Sequence, residues 1–515
     1  MKKLSVLLML TLVVGLTACG KTEKKVETKQ EVETSEEEVI VEEEETVEEE
    51  VTKISLSNGE ILVNEEAISE DAESDVYKAN DIIFYLEDQG IEYGAGTAQD
   101  EHSQIEADAH TVVHITKPGT YEISGTMEAG QIFVDLGEDA KEDPEAVVTL
   151  LLNNADITCT VAPAIFFYNV YECAEITEEE EASMEVVTDA AGANLKLADD
   201  TKNQIYGSYV AKIYKSCELN EEGTEVVESK KLHKYDGAVY SRMTMNVFGD
   251  TGILDITAEN EGLDTEMHLT IQGGNIRIKS GNDGINVNED NVSVFTMNDG
   301  TLNIQVTGET GEGDGIDSNG WLVINGGTVN SWACAVSQDA GLDADMGIYI
   351  NGGTVAASGN MPSEISEGNA VSVTFQSREQ LAAGETYEII DAEENLIMEV
   401  VPKNAFTMLV ISDETLTEDG TYTLWLDGEQ VAEGMAGAMM GHGMGGGMKP
   451  DGEPPEGFQD GERPEPPEGF KDGERPEPPE GFEGGDRMEK PDGMKVPDGT
   501  ELPDDAELPE APNKK

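Results

Sequence analysis

Between Asp236 and Gly359 apolar side chains return at every second position in short runs broken by glycine. In LTIQGGNIRI, from Leu269 to Ile278, the alternation runs on both sides of a Gly-Gly pair, which predicts strand, turn and strand. No 3.6-residue stripe crosses the segment, and Gly, Asn and Thr dominate it, so helix is excluded. One phrase returns five times: DGAVYS at Asp236, EGLDTE at Glu261, DGINVN at Asp283, DGIDSN at Asp314 and AGLDAD at Ala340. Each is followed by a second phrase, GDTGILDIT, QGGNIRIKS, NDGTLNIQV, NGGTVNSWA and NGGTVAASG, and the period is 22 to 31 residues. Such a period marks units stacked along an axis. A unit this short cannot bury its own apolar face. Leu263, Ile285, Ile316 and Leu342 are therefore expected one above another inside a single-stranded solenoid, the parallel β-helix.

The same reading extends upstream. From Ile54 to about Gly125 the pattern is strand-like and broken by turns, as first rungs and a cap over the open core end would be. VVTLLLNNADIT, at 147 to 158, and APAIFFYN continue it, whereas Glu178 to Glu185 and Glu218 to Lys234 carry no periodicity and are expected as inserted loops. The divisions that follow are residues 1–19, 20–53, 54–360 for the β-helix, 361–430 for a small C-terminal β segment, and 431–515.

The two flanks differ in kind. Twelve of the twenty residues from Glu31 to Glu50 are Glu, so residues 20–53 are expected to be a self-repelling, disordered acidic linker. After Glu429 come a Gly/Met-rich stretch and a 12-residue repeat carrying Phe458, Phe470 and Phe482 in a Pro-, Gly- and charge-rich background, the composition of a disordered tail. At the other end, MKKLSVLLMLTLVVGLTACG has a basic start, an apolar run too short to span a membrane, and LTAC, and so resembles the bacterial lipoprotein signal. That resemblance implies cleavage before Cys19, a lipid on Cys19, and a place on the extracellular face of the bacterial membrane. Four cysteines remain, Cys159, Cys173, Cys217 and Cys334, without a CxxC pair, and their pairing stays open.

Charge narrows the partners. With 108 acidic against 31 basic residues the net charge is −77, so nucleic acid and anionic membrane surfaces would be repelled. Stacking places acidic side chains in two columns about 4.8 Å apart per step. One precedes the glycine, Asp236, Glu261, Asp283 and Asp314; the other follows the buried aliphatic residue, Asp264, Asn286, Asp317 and Asp343, and is expected to face solvent. For one Asp the plain role of turn former suffices. A whole column repels itself and calls for a cation, and oxygen-only donors without His or Cys select Ca²⁺.

Basic and aromatic residues are scarce in the repeats. Arg277 and Lys279 alternate with Ile276 and Ile278, so both point outward and could grip an acidic sugar; Trp321 and Trp332 could stack on one. A lyase that abstracts a proton beside a uronate carboxylate needs a base held near the metal, and only Arg242, Arg277 and Lys279 lie between Asp236 and Gly359. Binding without turnover is therefore the expectation.

HITKPGTYEISGTMEAGQIFVDL, LLLNNADIT with APAIFFYN, YDGAVYSRMTMNVFGDTGILDI and the DGI and GGT returns resemble, in that order, the clostridial calcium-binding, carbohydrate-binding right-handed β-helix family. The likeness covers about residues 100 to 430. It implies a right-handed parallel β-helix of pectate-lyase type, several bound Ca²⁺, and binding of pectin-type acids and cellulose. The expectation is an all-β, monomeric, lipid-anchored, calcium-dependent binder of acidic polysaccharide, with a polysaccharide lyase and a structural wall or adhesion protein as alternatives.

Overall fold

The structure is a computed structural model, and it describes residues 51–437 apart from 175, 177, 178, 180, 221 and 367. Cys19, nearly all of the acidic linker and most of the C-terminal tail lie outside the described residues. Within them the regular structure is nearly all strand; the one α-helix, Gln104–Asp108, has Ser103 as its N-cap, whose hydroxyl accepts the Glu106 N–H. No helix among the described residues is long and apolar enough to cross a membrane.

Parallel ladders organise the centre. An eight-stranded sheet runs through Val76–Ala79, Thr111–Ile115, Gly130–Asp135, Ile165–Asn169, Gly237–Ser241, Glu261–Thr265, Ile285–Val287 and Ile316–Ser318, in that spatial order. A 19-stranded sheet holds two further ladders. One passes through Lys202–Gly207, Ile253–Ala258, Asn275–Ser280, Thr301–Val306, Thr328–Trp332 and Thr354–Gly359. The other passes through Ala193–Leu197, Met245–Phe248, Leu269–Ile271, Val294–Met297, Trp321–Ile324 and Gly347–Ile350. The long strand Val148–Thr158 serves both, pairing with one ladder through Val148–Leu152 and with the other through Asp156–Thr158. Between them Asn154 takes φ +58°, a left-handed bend that Asn tolerates better than most residues.

The sheets are mixed, not a uniform parallel solenoid. Val76–Ala79 pairs antiparallel at one end, and at the other Phe406–Ser412 pairs antiparallel with Thr354–Gly359. A four-stranded antiparallel sheet, Tyr387–Asp391, Leu396–Val400, Thr421–Leu426 and Glu429–Met435, follows with its own core around Tyr387, Phe406 and Leu424.

Register explains the repeated residues. Leu263 pairs with Ile285 and Ile285 with Ile316, a bridge joins Ile316 to Leu342, and all four are fully buried in one core that runs from Ile54 to Ala357. Three of the second-phrase glycines are required twice over. Gly300 has φ +96°, and a Cβ there would lie 2.5 Å from the Gly274 carbonyl oxygen of the preceding repeat; Gly327 and Gly353 repeat the arrangement. Beside them Asn298, Asn325, Asn351 and Asn369 form an amide ladder, each Nδ2 donating to the Oδ1 of the Asn before it, at 2.8, 2.9 and 3.2 Å.

Three expectations need correction. The strand Val51–Leu56 begins three residues before the expected domain start and pairs with Gly119–Met127. The stretch from Glu218 to Lys234 is not a loop but much of an antiparallel hairpin, Val210–Leu219 with Val226–Tyr235, whose cross-strand pairing supplies order that a polar sequence does not advertise. The first phrase is also one residue out of register, because Gly237 rather than Asp236 pairs with Glu261.

The close glycine contacts generate a stability test. Gly300→Ala and Gly384→Ala share the left-handed cost of about 1–2 kcal/mol, but nothing lies within 4 Å of a Cβ at Gly384. Urea unfolding is expected to show the larger loss for Gly300→Ala; equal losses would mean that the inter-repeat contact is relieved cheaply.

Candidate metal and glycan site

One column of outward side chains runs the length of the eight-stranded sheet and changes character midway. Cross-strand pairs link Tyr77 to His114, His114 to Phe133, Phe133 to Phe166, and Phe166 to Tyr240. They continue from Tyr240 to Asp264, Asp264 to Asn286, and Asn286 to Asp317, with Asp343 next by the bridge at Leu342. The predicted column Asp264, Asn286, Asp317 and Asp343 is therefore brought together.

Its environment differs from the expected solvent-facing row. Asp264 is 1% and Asn286 7% exposed, while Asp317 and Asp343 are half-buried. The end of the hairpin lies over the upper part: Tyr235 packs against Phe166 and Tyr240, and Lys234 Nζ reaches Asp236 Oδ2 at 3.1 Å and Asn288 Oδ1 at 3.3 Å. Burial alone would lower the Lys234 pKa, but the charges of Asp236, Glu261 and Asp264 outweigh it and raise it. Lys234 is a fixed cation.

One cation does not satisfy the surrounding oxygens. Asn286 Nδ2 donates to Glu261 Oε1 at 3.2 Å, and Asn288 Nδ2 donates to Asp264 Oδ1. Glu261 Oε2, Asp264 Oδ2 and Asn286 Oδ1 are buried without a hydrogen-bond partner. Burial first, then the charge of Asp236, pushes the Glu261 carboxyl up to about 8, and burial with Glu261 and Asp236 raises Asp264 well above the carboxylate range. Three orphaned oxygens on adjacent strands are costly unless protons or a cation occupy them.

A second set lies further along. Asp314, Asp317 and Asp343 each offer a carboxylate oxygen within 4.8 Å of the others. Burial pushes Asp314 up to about 8 and Asp317 up to about 7, with Asp343 among the neighbouring charges that add to both, and burial raises Asp343 in turn. Asp283 and Asp314 also serve the stacking itself: Asp283 Oδ1 accepts the Asp314 N–H at 2.7 Å, and Asp314 Oδ1 accepts that of Ala340. Burial, then Glu261, raises Asp283 as well. One oxygen of each of the Asp283 and Asp314 carboxyls is thus engaged by the backbone of the next repeat. Both sets are all-oxygen and suit a hard divalent ion.

The predicted sugar-contacting residues do not join this column. Arg277 and Lys279 are exposed, as expected, but they belong to the 19-stranded sheet, where with Tyr206, Gln204, Asn303, Gln305, Trp332 and Lys403 they line an open groove of ≈ 580 Å³. Arg277 shares its charge with Asp255 at 3.3 Å. Trp332 is 4% exposed and also packs in the C-terminal core, so it offers the groove little more than an edge. Trp321 is elsewhere, covered by Val294 and Val323 on the other ladder, and is not brought to the groove.

Lys234 and Asn288 were not singled out from sequence, and Tyr240 was not placed in the acidic column. Lys234 precedes Asp236 by two residues, so a count of bases beginning at Asp236 stops just short of it. Tyr240 is hidden by the register shift of the first phrase, which aligns Ala238 with Leu263 when glycines are matched. The four cysteines 159, 173, 217 and 334 are free.

Residues 109–421 match the family model described as carbohydrate-binding domain-containing protein. A protein of that description from Acetivibrio thermocellus is 30% identical over 169 residues, which are 33% of this chain and 45% of that protein, so the match spans less than half of the relative's length. Among solved structures, the polysaccharide lyase-like protein from C. thermocellum, as a gadolinium derivative, is similar at 21% identity and a TM-score of 0.32, covering 59% of this chain and 93% of that one.

The raised carboxyls set a pH dependence. In the folded protein Asp314 and Asp317 keep protons to about pH 8 and 7, whereas in the unfolded chain they release them near 4. Between those limits the folded state binds more protons, so its stability falls as pH rises. With chelator present, the melting temperature is expected to drop from about pH 5 to about pH 8, and Asp314→Asn with Asp317→Asn to flatten the slope. A melting temperature that climbs over that interval would contradict the assignment.

Proposed function

The chain belongs to the carbohydrate-binding domain-containing protein family, and from that premise we propose that it binds acidic polysaccharide through Ca²⁺ held by the acidic column, without turning the polymer over. The observation that carries the metal is the trio of buried, unpartnered oxygens on Glu261, Asp264 and Asn286. These are closed off and fit a structural ion. Asp314, Asp317 and Asp343 are half-buried, and three carboxylates leave a Ca²⁺ ion with coordination to spare, since it takes six to eight oxygens. A uronate carboxylate can fill those positions, and the ion then cancels repulsion between two polyanions.

The finer fold reading belongs here too. Three parallel ladders that each advance by one phrase per strand support a parallel β-helix for the repeat region, and its right hand rests on the general preference for right-handed crossovers. The address rests on the N-terminal sequence: lipid on Cys19 would hold the domain at the outer face of a bacterial membrane, as a monomer.

A lyase is the second reading, favoured by one feature, the placement of Lys234 beside the acidic column. Its raised pKa keeps it protonated and makes it a counter-ion rather than a proton acceptor.

Polygalacturonate pull-down with and without chelator tests the proposal. Binding is expected with Ca²⁺, lost on chelation, and weakened about tenfold or more by Asp317→Asn with Asp343→Asn, on the scale of one lost charged contact. Binding that survives chelation would remove the metal bridge. Release of unsaturated, ultraviolet-absorbing product would establish the lyase.

A further inference from the structure

We infer that Lys234 is a tethered counter-ion that sets the calcium affinity of the upper part of the acidic column: it stabilises those carboxyls when the metal leaves and weakens the metal when it returns. The inference rests on the calcium reading of Glu261, Asp264 and Asn286 and goes beyond it, because it gives a role to a residue that ligates no ion.

The hairpin holds this lysine in place. On one side His233 pairs with Ile213, and on the other the Tyr235 ring lies 4.5 Å from that of Phe166 and 5.3 Å from that of Tyr240. Between these anchors Nζ meets Asp236 Oδ2 at 3.1 Å and donates to Asn288 Oδ1 at 3.3 Å, while Asn288 Nδ2 donates to Asp264 Oδ1. One amide thus links the ammonium to a carboxyl that carries an orphaned oxygen. The side chain of Lys234 is 31% exposed and that of Asp236 12%, so solvent ions screen the pair little.

Charge decides the role. Asp236, Glu261 and Asp264 carry three negative charges when all are ionised, and each acts on Lys234. The ammonium offsets one, and a single divalent ion offsets the other two. Lys234 makes no hydrogen bond to the orphaned Glu261 Oε2, Asp264 Oδ2 or Asn286 Oδ1, so lysine and metal occupy different positions in one field. Two cations that close repel through surroundings that screen less than water, which lowers calcium affinity. Without metal, the same lysine is a cation facing buried carboxyls and lowers the cost of the empty site. A neutral side chain of similar length reverses both effects.

Calorimetric titration of the full-length protein with calcium tests this, at about pH 9 so that protons compete little for the carboxyls. An Asp317→Asn, Asp343→Asn background removes the lower trio from the measurement. In that background Lys234→Met and Lys234→Gln are each expected to bind calcium about tenfold tighter or more. Lys230→Met, which removes an exposed lysine of the same hairpin, is expected to leave the affinity unchanged. In EDTA both Lys234 variants are expected to melt lower than their parent, and calcium to raise their melting temperature by more than it raises the parent's. Lys234→Gln keeps a donor for Asp236 and carries the comparison if Lys234→Met does not fold. Melting lowered equally with and without calcium would mark a packing contact alone and overturn the inference. So would a calcium affinity that is unchanged or weaker in the Lys234 variants, or that Lys230→Met tightens as much, which would trace the effect to net charge. Calcium heat in the wild-type protein but none in the background would overturn the inference and leave the lower trio as the calcium site. No calcium heat from the wild-type protein would strike the calcium reading itself, and the inference with it.

Discussion

Strands hydrogen-bonded in parallel place like residues about 4.8 Å apart, and every column of this molecule has to live with that spacing. Aliphatic side chains gain from it, as Leu263, Ile285, Ile316 and Leu342 do in the core. Amides gain as well, because each Asn of the ladder from Asn298 to Asn369 is both donor and acceptor. Carboxylates lose, since an ionised one only accepts. Glu261, Asp264, Asp283, Asp314 and Asp317 all respond by holding protons more tightly than an exposed carboxyl does. The geometry that makes the core easy makes the acidic column hard.

The protein meets part of this cost internally. The hairpin Val210–Leu219 and Val226–Tyr235 carries Lys234 to Asp236 and lays Tyr235 over the aromatic stretch. That one cation pairs with Asp236 beside the upper set of carboxyls, while Asp314, Asp317 and Asp343 gather as a second trio further along. The hairpin thus divides the column into a covered part and an accessible part. Aromatic rings occupy the remainder of the column, where they stack face to face or edge to face with no charge to offset.

Much of this was legible in the residues because repetition is a local signal. The stacked aliphatics, the turn glycines and the order Asp264, Asn286, Asp317 and Asp343 follow from matching one phrase to the next. What could not be read depended on contacts between non-repeating parts. The hairpin is largely polar from Glu218 to Lys234, and pairing rather than periodicity orders that part. The burial of Asp264 depends on what that hairpin covers. Trp321 and Arg277 sit two repeats apart, and different ladders send them to different surfaces. The aromatic column escaped because Tyr77, His114, Phe133 and Phe166 lie in strands whose spacing in sequence is irregular.

A ladder that grows by adding parallel strands has no intrinsic stop, since its last strand offers the same template as the one before. Here Phe406–Ser412 pairs with Thr354–Gly359 in the reverse direction, and Ser372–Leu381 pairs with it in turn. Reversal spoils the template for another parallel phrase. The length of the acidic row is therefore closed within one polypeptide, so the number of carboxyls it carries is a counted, heritable quantity that duplication or deletion of a single phrase would change by one step.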